Sequence, residues 1–279
     1  MHFLLMHGKS VYLNLIKIFF GNENVSGLSL QQLLKSRFST SALVGKYANI
    51  YADIPSQALG DTGIFKMLTG NDKNIGAEYK FGKHFTFANH AKLLFSTNKI
   101  PETKDDTDAF FRRWIIIVFP NQFTEHSTPK MDPNKLEKLT TQEELSGLLN
   151  TGLQSLAKLL SNRRFHGDKP TAEWRVDYIR KSDPIAAFYM DCLVEIPDPS
   201  IYISKADLYQ AFVNYCKENK LPRVDNTVFS RKIKTHFQMV EDSTTGEHGG
   251  SRQRIWRNLA LRSDKDNLSK KGVNIDEYF

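Results

Sequence analysis

The run Ala91-Lys92-Leu93-Leu94-Phe95-Ser96-Thr97-Asn98 decides the fold. It is short, apolar and then abruptly polar, and two other runs share its form: Tyr47-Ala48-Asn49-Ile50-Tyr51-Ala52, followed by Asp53, and Trp114-Ile115-Ile116-Ile117-Val118-Phe119. Apolarity that is continuous rather than alternating marks strands covered on both faces, as in a mainly parallel sheet flanked by helices. From Val25 to Pro120 such runs alternate with polar, glycine-bearing connections, the rhythm of strands and helices around one sheet. The fold class expected is α/β, with a first domain over residues 1–165.

Working outward, Asn121 to Asn134 carries two prolines and no periodicity, so it reads as a loop. Leu136, Leu139, Leu145, Leu148, Leu149, Leu153, Leu156, Leu159 and Leu160 then recur at helical spacing, which predicts a helical region closing the domain. The basic stretch Arg163 to Pro170 reads as its boundary, and 166–182 as a linker. A second module is expected over 183–262. Asp183-Pro184 is an N-cap followed by proline in the first turn, ahead of the stripe Ile185, Phe188, Tyr189 and Cys192. Tyr202-Ile203 is a short strand, Ser204 caps a helix with Leu208, Phe212 and Tyr215, and Asp225 or Asn226 caps a third with Val228, Phe229, Ile233 and Phe237. Gln238 to Leu261 reads as two strands around the turn Gly246-Glu247-His248-Gly249-Gly250. Helix, strand, helix, helix, hairpin is the order of a winged helix-turn-helix. Residues 263–279 form a polar tail.

The 279 residues suffice for two domains, and 40% hydrophobic with 25% charged residues excludes a disordered or fibrous chain. The apolar stretch Val11 to Phe20 is interrupted by Asn14 and Lys17 and falls short of a membrane span, and the opening Met1 to Met6 lacks a basic leader. No membrane association is expected. The protein is expected in the cytoplasm, either of a prokaryotic host or as a virus-encoded protein. Cys192 and Cys216 have no His or Cys beside them at metal spacing, so they read as reduced core thiols. A net charge of +7 makes a polyanionic partner plausible.

Gly8-Lys9-Ser10 stands ahead of the helical pattern Val11 to Ile16. In a phosphate-binding loop the backbone amides cradle phosphate, the lysine reaches the terminal phosphates and the serine hydroxyl holds Mg²⁺. The full pattern also wants a glycine five residues before Gly8, where Phe3 stands, so the tripeptide taken alone reads as a chance match sooner than as a phosphate loop. Order and spacing add weight. Asp53, at the end of an apolar run, fits the acid that holds Mg²⁺ through water, Asn98 fits the polar residue that senses or orients the attacking water, and Arg112-Arg113 can supply positive charge to a phosphoryl group on a neighbouring subunit.

Gly8 to Ser10, Lys46 to Asp53, Leu68 to Asp72, Ala77 to Phe81, Phe95 to Pro101 and Asp105 to Trp114 together resemble the superfamily 3 helicase domain of phage, plasmid and archaeal-virus primase-helicases. The C-terminal module is similar to the winged-helix region that follows that domain, also in the poxvirus primase-helicase. The resemblance implies an AAA+-like P-loop ATPase core that forms a homo-hexameric ring and uses ATP and Mg²⁺ to translocate on DNA during replication. A primase is usually joined at its N-terminus. It further implies nucleotide binding by Gly8, Lys9 and Ser10, a metal held by Ser10 and Asp53, Asn98 as sensor, and Arg112 or Arg113 as a finger across the subunit interface. A hairpin between Asp53 and Asn98 would reach into the ring channel, where Lys80, Lys83 and His84 would grip single-stranded DNA. The chain departs from the family at Phe3, at Ala52 where many members have a second acid, and in lacking the primase, so it is expected to be the C-terminal part of a longer protein. A nucleotide-incompetent remnant that binds DNA only through the winged helix stays open as the alternative.

Between Leu221 and Arg262 eight basic residues face four acidic ones. Arg231, Lys232 and Lys234 fall on the candidate recognition helix, and Arg252, Arg254 and Arg257 on the candidate wing strand. That is the pattern for a helix in the major groove of duplex DNA with flanking phosphate contacts.

Overall fold

The computed structural model describes residues 8–264 apart from 36, 71, 122, 125, 220, 237–240 and 249–250. The chain divides into two compact units, Met1–Tyr178 and Ile179–Phe279. Of the expected features, Phe237, part of the Gln238 to Leu261 hairpin and the tail from residue 265 lie outside the described residues.

Unit 1 begins with α1 (Lys9–Phe20), β1 (Val25–Ser26), α2 (Leu30–Lys35) and α3 (Arg37–Thr40). Then come β2 (Ala48–Tyr51), α4 (Gly63–Leu68), the antiparallel pair β3 (Ile75–Glu78) and β4 (His84–Phe87), and β5 (Lys92–Phe95). The helices α5 (Asp108–Phe111), α6 (Lys135–Leu139) and α7 (Gln142–Asn162) and, up to Tyr178, α8 (Thr171–Ser182) complete it. A small parallel sheet in the order β1-β2-β5 makes the fold mixed α/β. Its centre is β2, where Ala48 and Asn49 are fully buried. A buried amide must find partners. Asn49 does so by accepting from the Leu28 N–H at 2.9 Å and donating to the Leu28 carbonyl at 2.8 Å, which continues the β1–β2 ladder with a side chain.

Two expectations for this unit are corrected. Trp114 to Phe119 joins no described strand: it has no regular secondary structure, with Trp114 and Ile116 packed on the core while Ile115, Ile117 and Val118 are exposed. Continuous apolarity predicts cover on both faces, but β5 is the edge of the described sheet and no described strand covers the outward side chains. The expected linker over 166–182 contains α8, whose Trp174 and Tyr178 are buried. Tyr178 meets Phe110, Phe111 and Trp114 with ring centroids at 5.3, 5.6 and 5.2 Å, and its hydroxyl donates to the Pro101 carbonyl at 2.8 Å. Burying these rings contributes on the order of 2 kcal/mol each, which explains why the segment folds onto unit 1. The leucine-rich α6 and α7 match the helical expectation, although α7 buries no residue and leaves Leu149, Leu153, Leu156 and Leu160 exposed.

Unit 2 holds α9 (Pro184–Cys192), β6 (Leu193–Glu195), β7 (Tyr202–Ser204), α10 (Lys205–Glu218), α11 (Asn226–His236), β8 (Glu241–His248), β9 (Ser251–Arg257) and β10 (Leu259–Leu261). The expected caps are present: Asp183 accepts from the Ile185 N–H, Ser204 from Asp207, and Asp225 from both Thr227 and Val228. One sheet runs β7-β9-β8 and a second pairs β10 with β6. The core is aromatic, with Phe212 stacked on Phe229 at 4.7 Å and Phe188 edge-on to Phe212 at 5.6 Å. Cys216 lies in that core and Cys192 at its margin, and neither is in a disulfide. Burial pushes the Cys216 thiol up to about 11. Among the described residues no helix is long and apolar enough to cross a membrane.

Candidate functional site

The C-terminal edge of a parallel sheet is where open α/β folds bind ligands. Lys9, Asp53 and Asn98 gather there in unit 1. Gly8 takes a left-handed backbone, φ +76°, and the chain then enters α1 with no acidic residue in its first turn. Only glycine takes that conformation without strain, so Gly8 sets the entry to the helix. From α1 the Lys9 ammonium donates to the Thr97 carbonyl at 3.0 Å and to Asn98 Oδ1 at 2.5 Å, beyond the end of β5. The Ser10 side chain is exposed.

Asp53 follows β2 with φ +58° and an exposed side chain. Its N–H donates to Ser96 Oγ at 3.3 Å, the Ile54 N–H to the Ser96 carbonyl at 2.9 Å, and Thr97 Oγ1 to the Ile54 carbonyl at 3.3 Å. Two neighbouring strand ends are thus knitted together, bringing Asp53 and Asn98 to one rim. Ser96 and Thr97 do the joining, and sequence reasoning assigned neither a role of its own, although both stand in the Phe95 to Pro101 stretch that carries the resemblance.

The arginine pair lies at the end of α5, and the two members differ. Arg112 is exposed. Arg113 turns inward, donates from Nη1 to the Ala109 carbonyl, and has its affinity for a proton lowered by burial and by adjacent Arg112 against the pull of Asp72. Of the two, only Arg112 is presented outward. Among the described residues no hydrogen bond or ion pair joins either arginine to Lys9, Asp53 or Asn98.

Sequence reasoning missed Asp105, which orients α5. Its side chain is 8% exposed and accepts from the Lys66 ammonium at 2.8 Å, from Thr62 Oγ1, and from Thr107 N–H at 3.0 Å and Oγ1 at 2.6 Å. Burial works against its charge, but these donors outweigh it and hold the carboxyl well below the usual carboxylate range. The Asp105-x-Thr107 turn was legible as a local pattern. The partners on α4, about forty positions away, were not.

The β3–β4 hairpin carries Lys80, Lys83 and His84, all exposed at or beside its tip. Its base is fixed by Ile75 and Phe87 in the core and by Thr40 Oγ1 donating to the Gly76 carbonyl at 3.1 Å.

In unit 2, Arg231 is exposed on α11, and Lys234 lies one turn on. Lys232 is corrected: its ammonium is 2.7 Å from the buried Asp183 carboxylate, so it ties α11 to the start of α9 instead of facing outward. On β9, Arg254 is exposed, Arg257 donates to the Pro199 carbonyl, and the Arg252 side chain lies outside the described side chains.

Residues 6–113 match a family of unknown function (DUF5906), and residues 180–278 match the poxvirus D5 protein-like family. Each match covers less than half of the chain. A candidate helicase of Acanthamoeba polyphaga mimivirus is 29% identical over 187 residues, covering 63% of this chain and 19% of the relative. The chain therefore spans about a fifth of the length of that viral protein. It is similar at its C-terminal end to poxvirus D5-like proteins and over most of its length to a candidate viral helicase.

Proposed function

We propose that this chain is the motor and DNA-binding part of a viral or mobile-element replication helicase of the superfamily 3, AAA+-like type. The observation that carries the reading is the contact of Lys9 with Asn98, residues 89 positions apart, at the end of a parallel sheet beside Asp53. The similarity to poxvirus D5-like proteins and to a candidate viral helicase supports it.

The donor set fits a nucleotide triphosphate with Mg²⁺. Gly8 opens the α1 N-terminus, where free N–H groups and the helix dipole favour an anion, and Lys9 adds a full positive charge. Ser10 and Asp53 are hard oxygen ligands suited to Mg²⁺. When bound, the nucleotide supplies the phosphoanhydride whose cleavage drives movement. Asn98 holds the Lys9 ammonium and offers an amide to orient water. Exposed Arg112 is the finger for a neighbouring subunit's site in a homo-hexamer, whereas Arg113 braces its own helix. Lys80, Lys83 and His84 grip the backbone of a single strand through salt-sensitive phosphate contacts. Unit 2, read as a winged helix with α11 as recognition helix and β8–β9 as wing, holds duplex DNA through Arg231, Lys234, Arg252 and Arg254. A primase belongs to the longer protein.

The test is strand displacement from a forked DNA duplex by the purified chain with Mg²⁺ and ATP. Displacement that needs ATP and is lost in Lys9→Ala is expected. Displacement that persists in Lys9→Ala, or duplex binding with no displacement under any condition, would overturn the motor assignment.

A further inference from the structure

The tip of the β3–β4 hairpin violates two ordinary preferences at one residue. Gly82 N–H donates to the Tyr79 carbonyl at 2.7 Å, closing a four-residue turn over 79–82. Its third residue, Phe81, has φ +65° and is 96% exposed. A positive φ at that turn position calls for glycine or asparagine, and a bulky side chain there is a conformational outlier. Gly82 does not relieve this: it stands one residue later, where a Cβ would lie 3.1 Å from Tyr79 Cβ and 3.2 Å from the Tyr79 carbonyl oxygen, tighter than most such contacts. The hairpin thus holds a phenyl ring that is 96% exposed on strained backbone, buried against no core among the described residues. Strain of this kind persists where function retains it.

The surroundings name the ligand. Tyr79, 53% exposed, stacks on Phe85 with centroids 5.0 Å apart and planes 27° from parallel, giving a second flat surface beside the tip. The Lys80 ammonium lies 5.1 Å from the Phe81 ring centroid, and Lys83 and His84 follow, both exposed. Open aromatic faces interleaved with cations suit a chain that alternates planar bases and phosphates. A duplex keeps its bases stacked inside, so only a single strand can offer them.

We infer that Phe81, supported by Tyr79, is a base-stacking platform: an unpaired nucleobase of single-stranded DNA lies on the Phe81 ring while Lys80 and Lys83 meet the adjoining phosphates. The inference rests on the helicase reading for its single strand, and extends the hairpin's role from phosphate contact to base contact. Phosphate contacts alone slide freely. A stacked base gives the tip a discrete hold of one nucleotide.

The experiment is fluorescence anisotropy of the full chain with a labelled 30-nucleotide oligothymidylate, beside an oligonucleotide of equal length whose residues are abasic. Phe81→Asn removes the ring yet suits the left-handed turn, so the hairpin keeps its fold; Lys80→Ala is the electrostatic control. Phe81→Asn should weaken oligothymidylate binding about tenfold with an unchanged salt slope and leave binding to the abasic strand unaltered. Lys80→Ala should weaken both strands and flatten the slope. Unchanged oligothymidylate affinity in Phe81→Asn, or an equal loss on the abasic strand, would overturn the stacking role while leaving the helicase reading intact. So would a changed sedimentation coefficient with DNA affinity intact, since the ring would then pack between copies of the chain. No single-strand binding by the unsubstituted protein would overturn both.

Discussion

Replacing Asp105 by alanine should destabilise unit 1 by about 3 kcal/mol. The carboxylate is 8% exposed and meets four donors, one of them the ammonium of Lys66. Breaking a buried charge pair by removing one partner costs about 3–5 kcal/mol, and Lys66, 31% exposed, can recover some hydration, which sets the lower end of that range. Asp105→Asn keeps hydrogen-bonding capacity but opposes an amide to the ammonium, so about 2 kcal/mol is expected. For a unit of this size each kcal/mol moves the melting temperature by about 2–4 °C, so the alanine variant should melt about 8 °C lower. The pH dependence fixes the cause. In the folded chain the carboxyl titrates well below its ordinary value of 3.8, so its contribution is complete above about pH 4 and declines as pH falls, because the unfolded chain takes up the proton first. The stability gap between unsubstituted protein and Asp105→Asn, measured by urea unfolding, should be flat from pH 8 to 5 and narrow by about 1 kcal/mol per pH unit below 4. A gap under about 0.5 kcal/mol at neutral pH, or one that holds unchanged down to pH 3, would refute the reasoning.

Other consequences follow from single contacts. Lys232→Ala should destabilise unit 2 by about 2–3 kcal/mol by removing the ammonium 2.7 Å from the buried Asp183 carboxylate and leave duplex affinity nearly unchanged, whereas Arg231→Ala should weaken duplex binding and lower its salt slope by about one; electrophoretic titrations that gave the reverse would remove α11 from the DNA surface. Asn49→Leu leaves both Leu28 backbone groups unpaired, and a cost of about 2 kcal/mol should appear as a lower urea midpoint with an unchanged slope. With its thiol at about 11, Cys216 should resist iodoacetamide at pH 8 by more than about 100-fold relative to the protein in urea, as read by mass spectrometry. Equal rates would place it outside the core.

What the sequence disclosed follows how far each determinant lies along the chain. The strands β2 and β5 and the caps Asp183, Ser204 and Asp225 depend on residues within a turn or two, and all were legible. Lys9 and Asn98 were each singled out by order and spacing, whereas their contact was not, because it depends on a parallel sheet bringing the ends of its strands to one edge. Trp114 to Phe119 misled because apolarity records a preference for cover, whereas pairing requires a neighbouring strand. Basic Lys232 suggested a DNA contact, yet its carboxylate partner lies 49 positions away. α8 was hidden by its polar outer face, since only Trp174 and Tyr178 mark the side that packs. The exposure and backbone of Phe81 were invisible, because glycine stands one residue after the position whose φ requires it.

The central claim is that a nucleotide site built on Lys9 drives movement along a single strand. Steady-state hydrolysis of ATP with Mg²⁺, with and without oligothymidylate, tests it most directly when run beside Lys9→Ala. The account predicts turnover that rises with the single strand and vanishes in the variant. Absence of turnover in a folded, DNA-binding chain, or turnover that Lys9→Ala leaves intact, would contradict it.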